Sequence, residues 1–130
     1  LSFSQEINDK SINIIDIDNL KFNKKEEAAV EELKKLLNFH GSDKAHKHFY
    51  HLLYAKLLSP NEKVKNILEI GLGTNNSNFV SSMGINGKPG ASLRAFSKFC
   101  KNANIYGADI DRGILFSEKK NKNLFCRSDK

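Results

Sequence analysis

The stretch that most constrains the fold is residues 66–74, which read as a buried strand running into a glycine-rich turn. Ile67, Leu68 and Ile70 form a nearly continuous apolar run, as in a central parallel strand that is covered by helices on both faces. Glu69 interrupts this run, and a carboxylate is costly to bury unless it is paired or hydrogen-bonded. We therefore expect Glu69 at the carboxyl end of the strand, facing a crevice.

The turn itself favours a small nucleoside-type ligand. Gly71 and Gly73 permit backbone angles that other residues avoid, and they let a ligand approach the main chain. The dinucleotide fingerprint is a weak match, because Asn76 occupies the place of its third glycine and Asp109 lies too far along the chain. A phosphate-binding P-loop is excluded, since no Gly-Lys-Ser/Thr follows. A carboxylate that ends the next strand, as Asp109 does, accepts the hydroxyl protons of a ribose well, while Glu69 can face an ammonium group.

Two helices are predicted ahead of this strand. Asn23 followed by Glu26 resembles a capping signal, and apolar residues then recur at helical spacing over about 24–39. Gly41 is a plausible stop for this helix, because glycine tolerates the left-handed conformation. A second apolar stripe predicts a helix over about 46–58.

The segments that follow the turn predict further units of an α/β sheet. Residues 74–90 are small and polar and are too many for an ordinary βα turn, which indicates a functional loop or a mobile lid. An apolar stripe through Leu93 and Phe96 predicts the next helix. Residues 104–111 then read as a strand that ends in acids, and residues 124–126 as the beginning of a third strand.

Two stretches have no single assignment from the sequence. Residues 12–17 alternate between apolar and polar side chains, which fits either a short strand or an extended arm. Residues 113–122 fit either a short helix or a loop. Neither stretch is given a function.

Composition and charge exclude several classes of protein. The formal net charge is +6, but basic residues are mixed with acidic ones along most of the chain, without the aromatic and basic alternation of a nucleic-acid platform. Apolar runs are short, so neither a membrane span nor a signal peptide is predicted, and we expect a cytoplasmic protein. Cys100 and Cys126 lack CxxC spacing, so we expect both to be reduced.

Three histidines, at 46, 48 and 51, raise the question of a metal site. His46 and His48 would point to different faces of the predicted helix, and no cysteine or carboxylate completes a ligand set. We therefore predict no metal site in this chain. His48 and Tyr50 lie near the expected helix N-terminus, where free amide groups and the helix dipole favour anionic or polar ligand groups.

Four segments carry a resemblance to a known family. They are Gly-Ser-Asp-Lys at 41–44, followed by His48, Tyr50 and Tyr54; Leu-Glu-Ile-Gly at 68–71; Gly-Ala-Ser-Leu-Arg at 90–94; and Ile-Tyr-Gly-Ala-Asp-Ile-Asp at 105–111. Together they are similar to the class I methyltransferases that use S-adenosylmethionine. Within that superfamily they resemble the subgroup that contains the sugar O-methyltransferases of macrolide antibiotic pathways. The resemblance covers residues 41–111.

The resemblance implies a role for individual residues. Gly71 and Gly73 would line the S-adenosylmethionine, Glu69 would lie near its methionine end, and Asp109 would hold the ribose hydroxyls, with Asp111 as the alternative ribose partner. The other positions that match the subgroup, near the cofactor or the substrate mouth, are Lys44, His48, Tyr50, Ser92 and Arg94. The chain departs from the pattern in two places. Thr74 replaces a third glycine that is common in the turn, and the 74–90 loop is long and rich in asparagine.

The resemblance also implies a fold: an α/β, Rossmann-like parallel sheet of seven strands with flanking helices, of which this chain supplies at most the first three strands. Residues 1–62 would form an N-terminal arm and helices, and residues 63–130 the N-terminal half of the cofactor-binding domain. The first strand, which is central in the family, would then be an exposed apolar edge. Since the sequence also lacks an initiating methionine, we expect the N-terminal part of a larger enzyme or a gene fragment.

The reaction implied is methyl transfer from S-adenosylmethionine to a hydroxyl group of a sugar-like small molecule. The catalytic base, and a divalent metal such as Mg²⁺, would belong to residues outside this chain, so no catalytic residue is named. A rival hypothesis is a non-catalytic fragment or binding module that associates through its open sheet edge, for example as a homo-oligomer. A nicotinamide-dependent oxidoreductase is a poorer third hypothesis.

Overall fold

The first helix of the computed structural model begins and ends where the sequence predicts. The structure describes residues 16, 19–80, 82–118 and 124–127. Helix α1 spans Lys24–His40, and Asn23 caps it by accepting hydrogen bonds from the backbone N–H groups of Lys25 and Glu26, each at 3.0 Å. Glu26 in return accepts a bond from the Asn23 N–H, which completes the capping box. Gly41, with a φ of 81°, ends the helix in the left-handed conformation.

The second helix, α2, spans Tyr50–Leu58, so the prediction that it begins near residue 46 was wrong. Residues 43–48 form turns instead, and the Tyr50 N–H donates to the carbonyl oxygen of Lys44 at 2.8 Å. The physical reason is Phe49, whose φ of 56° lies outside the range of a right-handed helix. His48 therefore precedes the helix rather than lying in its first turn.

The predicted α/β fold class, with a Rossmann-like parallel sheet, is confirmed. Strand β1 spans Asn66–Ile70, helix α3 Ala91–Phe99, β2 Asn104–Ala108, β3 Ser117–Glu118 and β4 Leu124–Arg127. The sheet order is β1-β2-β4-β3, in which β1, β2 and β4 are parallel and the short β3 is antiparallel to β4. Strands β1 and β2 with α3 between them form a βαβ unit.

The two stretches that the sequence left open are only partly described. The stretch that begins at residue 113 overlaps a 3₁₀ helix, Arg112–Ile114, and strand β3, while residues 119–123 lie outside the described part. The 12–17 stretch also lies outside it, apart from Asp16. Strand β4 confirms the strand predicted at 124–126.

The core lies between the helices and one face of the sheet. Leu93 and Phe96 of α3 are buried, as the apolar stripe predicts, and they pack in one cluster with Leu33 of α1 and Ile105 of β2. Gly107 in β2 is required for this close packing, because a Cβ there would lie 2.5 Å from the Leu93 Cδ1. Helix α3 therefore packs directly against β2, the strand that ends beside the predicted site.

The other face of β1 is uncovered by the described residues. Leu68 is 62% exposed and Ile70 is 79% exposed, so the prediction of helical cover on both faces was wrong for this part of the chain. Among the described strands β1 pairs with β2 alone, which confirms the predicted apolar edge. Over the same ranges, none of the helices combines the length and apolar character needed to cross a bilayer.

Candidate functional site

Two of the predicted site residues, Lys44 and Ser92, contact a third, Glu69, near the carboxyl end of β1. The Lys44 Nζ lies 3.0 Å from the Glu69 Oε1, and the Ser92 hydroxyl lies 2.8 and 2.7 Å from the two carboxylate oxygens. Lys44 comes from the 43–48 turns and Ser92 from the first turn of α3. The carboxylate is thus paired and hydrogen-bonded, as its burial requires.

The two turn glycines have the same conformation but different surroundings. Gly71 and Gly73 have φ values of 83° and 79°, in the region that favours glycine. A Cβ on Gly71 would meet no atom within 4 Å, so this side of the turn is open to a ligand. At Gly73 a Cβ would lie 2.4 Å from the Met83 Sδ, so the methionine side chain already covers this glycine.

Both predicted acids lie beside the turn. Asp109 accepts hydrogen bonds from the backbone N–H groups of Leu72, at 2.6 Å, and Asp111, at 2.9 Å, through different carboxylate oxygens. Asp111 accepts from the Thr74 hydroxyl at 2.5 Å and from the Gly113 N–H at 2.9 Å. Thr74 is therefore connected to an acid that was predicted as a site residue from the sequence.

His48 and Tyr50 belong to a row of aromatic rings that runs from the 43–48 turns into α2. Their rings stack with centroids 5.3 Å apart, and Tyr50 meets Tyr54 edge to face at 6.3 Å. At the inner end of the row, the Tyr54 ring meets the Phe96 ring edge to face, with centroids 5.1 Å apart. Burial, followed by the charge of Glu69, raises the pKa of Tyr54 to about 12, so its phenol is neutral at physiological pH.

Arg94 contacts the end of the 74–90 loop. Its Nη1 donates to the carbonyl oxygen of Pro89 at 2.9 Å, and its guanidinium lies 4.2 Å from the centroid of the Phe116 ring. These contacts connect α3 to the loop before it and to the segment that follows β2.

The described residues of the 74–90 loop form no helix, and an isolated β-bridge among them joins Thr74 and Ser82. The Asn75 side-chain amide lies within hydrogen-bond distance of three loop carbonyl oxygens, those of Gly84, Ile85 and Gly87, at 3.1, 3.1 and 2.7 Å. The predicted irregular loop is confirmed, whereas its role as a mobile lid stays a prediction. These hydrogen bonds of Asn75 within the loop were not predicted from the sequence, although the many asparagines of the loop were a signal for such side-chain contacts.

A cavity of about 220 Å³ opens between the 41–47 segment, the later part of the loop and the start of α3. Its lining includes Lys44 and Ser92, which both contact Glu69, and also Leu72, Met83 and Lys88. Sites for whole small molecules usually measure about 300–1,000 Å³, so this cavity has room for one end of such a ligand. Across the described ranges, no three His, Cys, Asp or Glu side chains lie close enough together to hold a metal ion.

Comparison with known proteins gives a likeness of fold. No protein-family model and no curated protein sequence matches this chain. Among solved structures it is similar to the MycE methyltransferase from the mycinamycin biosynthetic pathway, in complex with Mg, SAH and mycinamycin VI, at 22% identity and a TM-score of 0.50. The match covers 76% of this chain and 24% of that protein, so the chain spans about a quarter of its length. The two proteins share part of a Rossmann-like α/β fold.

Proposed function

We propose that this chain is the cofactor-binding part of an S-adenosylmethionine-dependent methyltransferase that acts on a hydroxyl group of a sugar or another small molecule. The observation that carries the proposal is the arrangement at the carboxyl ends of β1 and β2, where Glu69, the open glycine turn and Asp109 are adjacent along one edge. Ligands of α/β sheets bind at such edges. The likeness of fold to a methyltransferase that was solved with SAH supports the proposal.

The residues at this edge fit the chemical groups of the cofactor. Asp109 is held by two backbone N–H groups, one on each oxygen, so each oxygen keeps a lone pair for a ribose hydroxyl. The methionine end of the cofactor carries both an ammonium and a carboxylate group. Glu69 would receive the ammonium group and Lys44 the carboxylate, so their ion pair is complementary to a zwitterion. The backbone at Gly71 leaves room for the ligand between the two acids.

When bound, S-adenosylmethionine supplies an electrophilic methyl group on its sulfonium. The contribution of this chain is to orient the cofactor, and holding reactants in line is itself a large part of catalysis. The proposal assigns the catalytic base, and a divalent metal such as Mg²⁺, to residues outside this chain. The division of the chain at residue 62, the cytoplasmic location and the sugar-like substrate stay predictions.

Calorimetric titration of the protein with S-adenosylhomocysteine tests the proposal. We expect the parent to bind and Asp109→Ala to bind at least about tenfold more weakly, because a carboxylate that accepts ligand hydroxyls typically contributes more than 1.4 kcal/mol. Glu62→Ala, which removes an exposed acid from the 3₁₀ helix before β1, is the matched control and should bind like the parent. Absence of S-adenosylhomocysteine binding by the parent would contradict the proposal.

A second candidate function is a binding module that associates through the open edge of its sheet. The exposed Leu68 and Ile70 on the edge strand favour it, since an apolar edge is a template for pairing with another chain. Light scattering separates the two candidates. Association without binding of S-adenosylhomocysteine supports the module, whereas a stable monomer that binds no cofactor contradicts both.

A further inference from the structure

Beyond the last main-chain bond between β1 and β2, two aspartate side chains continue the connection. That last bond runs from the Gly71 N–H to the carbonyl oxygen of Ala108, at 2.8 Å. The next amide, that of Leu72, donates to the Asp109 carboxylate instead. Two residues further on, the Thr74 hydroxyl donates to Asp111. The glycine turn is therefore tied to the segment after β2 at two points.

The two aspartates differ in what they hold. Among the described residues, Asp109 accepts hydrogen bonds from backbone N–H groups alone. One of these is the N–H of Leu72, the residue that follows the open Gly71. Asp111 binds the hydroxyl of Thr74, which is only 3% exposed. That hydroxyl both donates and accepts, since its oxygen also accepts a hydrogen bond from the Asn76 N–H at 3.0 Å. The Thr74 contact thus fixes the Asp111 carboxylate against the far end of the turn.

We infer that Thr74 and Asp111 form a latch that sets the conformation of the glycine turn, and that Asp111 is a positioning residue rather than a ligand of the ribose hydroxyls. The identity of the ligand rests on the proposed function, whereas the latch itself does not. The latch also gives the threonine at this position of the turn a physical role. A side-chain hydroxyl supplies a fixed contact that glycine lacks.

Amide hydrogen exchange tests the latch without any ligand. In Thr74→Val and in Asp111→Asn, we expect the Leu72 amide to exchange at least about tenfold faster than in the parent. Loss of a hydrogen bond to a charged group typically corresponds to a factor of this size. Asp109, which accepts from this amide, is unchanged in both variants. Thr74→Ser keeps the hydroxyl and should exchange like the parent. Amides in the interior of α1, such as that of Leu33, control for global destabilisation. Unchanged exchange at Leu72 in both variants would overturn the latch.

Binding of two ligands tests the assignment of the aspartates. The parent should bind S-adenosylhomocysteine more tightly than its 2′,3′-dideoxy analogue, and Asp109→Asn should lose this preference. Asp111→Asn should weaken both ligands by a similar factor of about ten and keep their ratio. Loss of the preference in Asp111→Asn alone would make Asp111 the ribose ligand and overturn the inference. If the parent binds neither ligand, the proposed function fails, and the exchange measurement alone decides the latch.

Discussion

Lys44 and Glu69 form an ion pair of 3.0 Å between the turns that precede α2 and the end of the first strand. Their side chains are 24% and 13% exposed, so water screens the pair only in part. Ser92 binds the same carboxylate, which makes Glu69 the point where three separate elements of the chain are joined. This junction adds a polar connection between the N-terminal segment and the sheet edge to the apolar packing of the helices.

Removal of Lys44 should therefore destabilise the fold. We expect Lys44→Met to lower the free energy of unfolding by about 1–2 kcal/mol, because Glu69 would remain partly buried without its cation. Lys47→Met removes an exposed lysine from the same turns and should change this free energy by less than about 0.5 kcal/mol. Urea unfolding of the two variants provides the measurement. Equal losses in both would show that the ion pair does not stabilise the junction.

His51 gives the fold a specific pH dependence. Its ring is buried, and its Nδ1 lacks a hydrogen-bond partner among the described residues. Burial, and then the charge of Lys34, lower its pKa from the ordinary value of 6.5, while Glu31 acts in the opposite direction. The unfolded chain then binds the proton more tightly than the folded protein. The stabilisation is complete above the unfolded value and is lost as the pH falls below it towards the folded pKa.

We therefore expect the melting temperature of the parent to fall more steeply than that of His51→Gln between about pH 7 and pH 5, the interval in which histidine titrates. His46→Gln makes the same replacement at an exposed histidine and is the matched control. Thermal melts at a series of pH values measure the slopes. A His51→Gln protein with the parental slope would assign the pH dependence to other groups.

The sequence predicted the first helix almost to the residue because the signals for its ends are local. Asn23 and Glu26 lie within one turn of each other, and Gly41 needs only its own backbone freedom. The start of α2 could not be predicted in this way, since the apolar stripe runs on through Phe49 while the backbone there is left-handed. Nothing in the residue type indicates that conformation, which is uncommon for a bulky side chain.

The same distinction applies to the candidate site. A partner for Glu69 was expected from the cost of burying a charge, but its identity as Lys44 depends on how the N-terminal segment packs over the sheet edge. The role of Thr74 in binding Asp111 could not be read from a loop of small polar residues. Met83 was missed altogether, because a single methionine in a polar loop belongs to no periodic pattern.

Tyr54 should ionise well above the ordinary pKa of a tyrosine. The protein has three tyrosines, and burial followed by Glu69 raises the pKa of Tyr54 from 10.0 to about 12. A spectrophotometric titration should show a tyrosinate transition near this value that disappears in Tyr54→Phe and persists in Tyr106→Phe. Because the folded pKa is the higher one, the associated stability is complete below pH 10 and is lost as the pH rises through about 12. Loss of a transition at the ordinary value in Tyr54→Phe would contradict this.

The uncovered face of β1 should promote self-association. We expect the average mass of the parent to increase with concentration, and the double variant Leu68→Lys, Ile70→Lys to remain smaller, because charge on an exposed edge strand opposes pairing. Leu57→Lys replaces an exposed apolar side chain of α2, away from the sheet, and is the matched control, which should associate like the parent. Light scattering over a concentration series measures the effect. Parental association by the double variant would place the contact on another surface.

The two turn glycines offer a matched pair of substitutions. Gly71 and Gly73 both have positive φ, so an alanine at either position should destabilise the fold by a similar amount, about 1–2 kcal/mol. They differ in what the new methyl group meets, which is open space at Gly71 and the end of the Met83 side chain at Gly73. Methionine is flexible, so we expect Met83 to move aside rather than the turn to break.

The chain contains a single methionine, so the ¹³C-labelled methionine methyl group gives one NMR signal that reports on Met83 alone. Gly73→Ala should shift this signal strongly, whereas Gly71→Ala should leave it close to its parental position. Urea unfolding of both variants measures the backbone contribution, which should be similar in the two. An unshifted methyl signal in Gly73→Ala would mean that the Met83 side chain does not cover the turn.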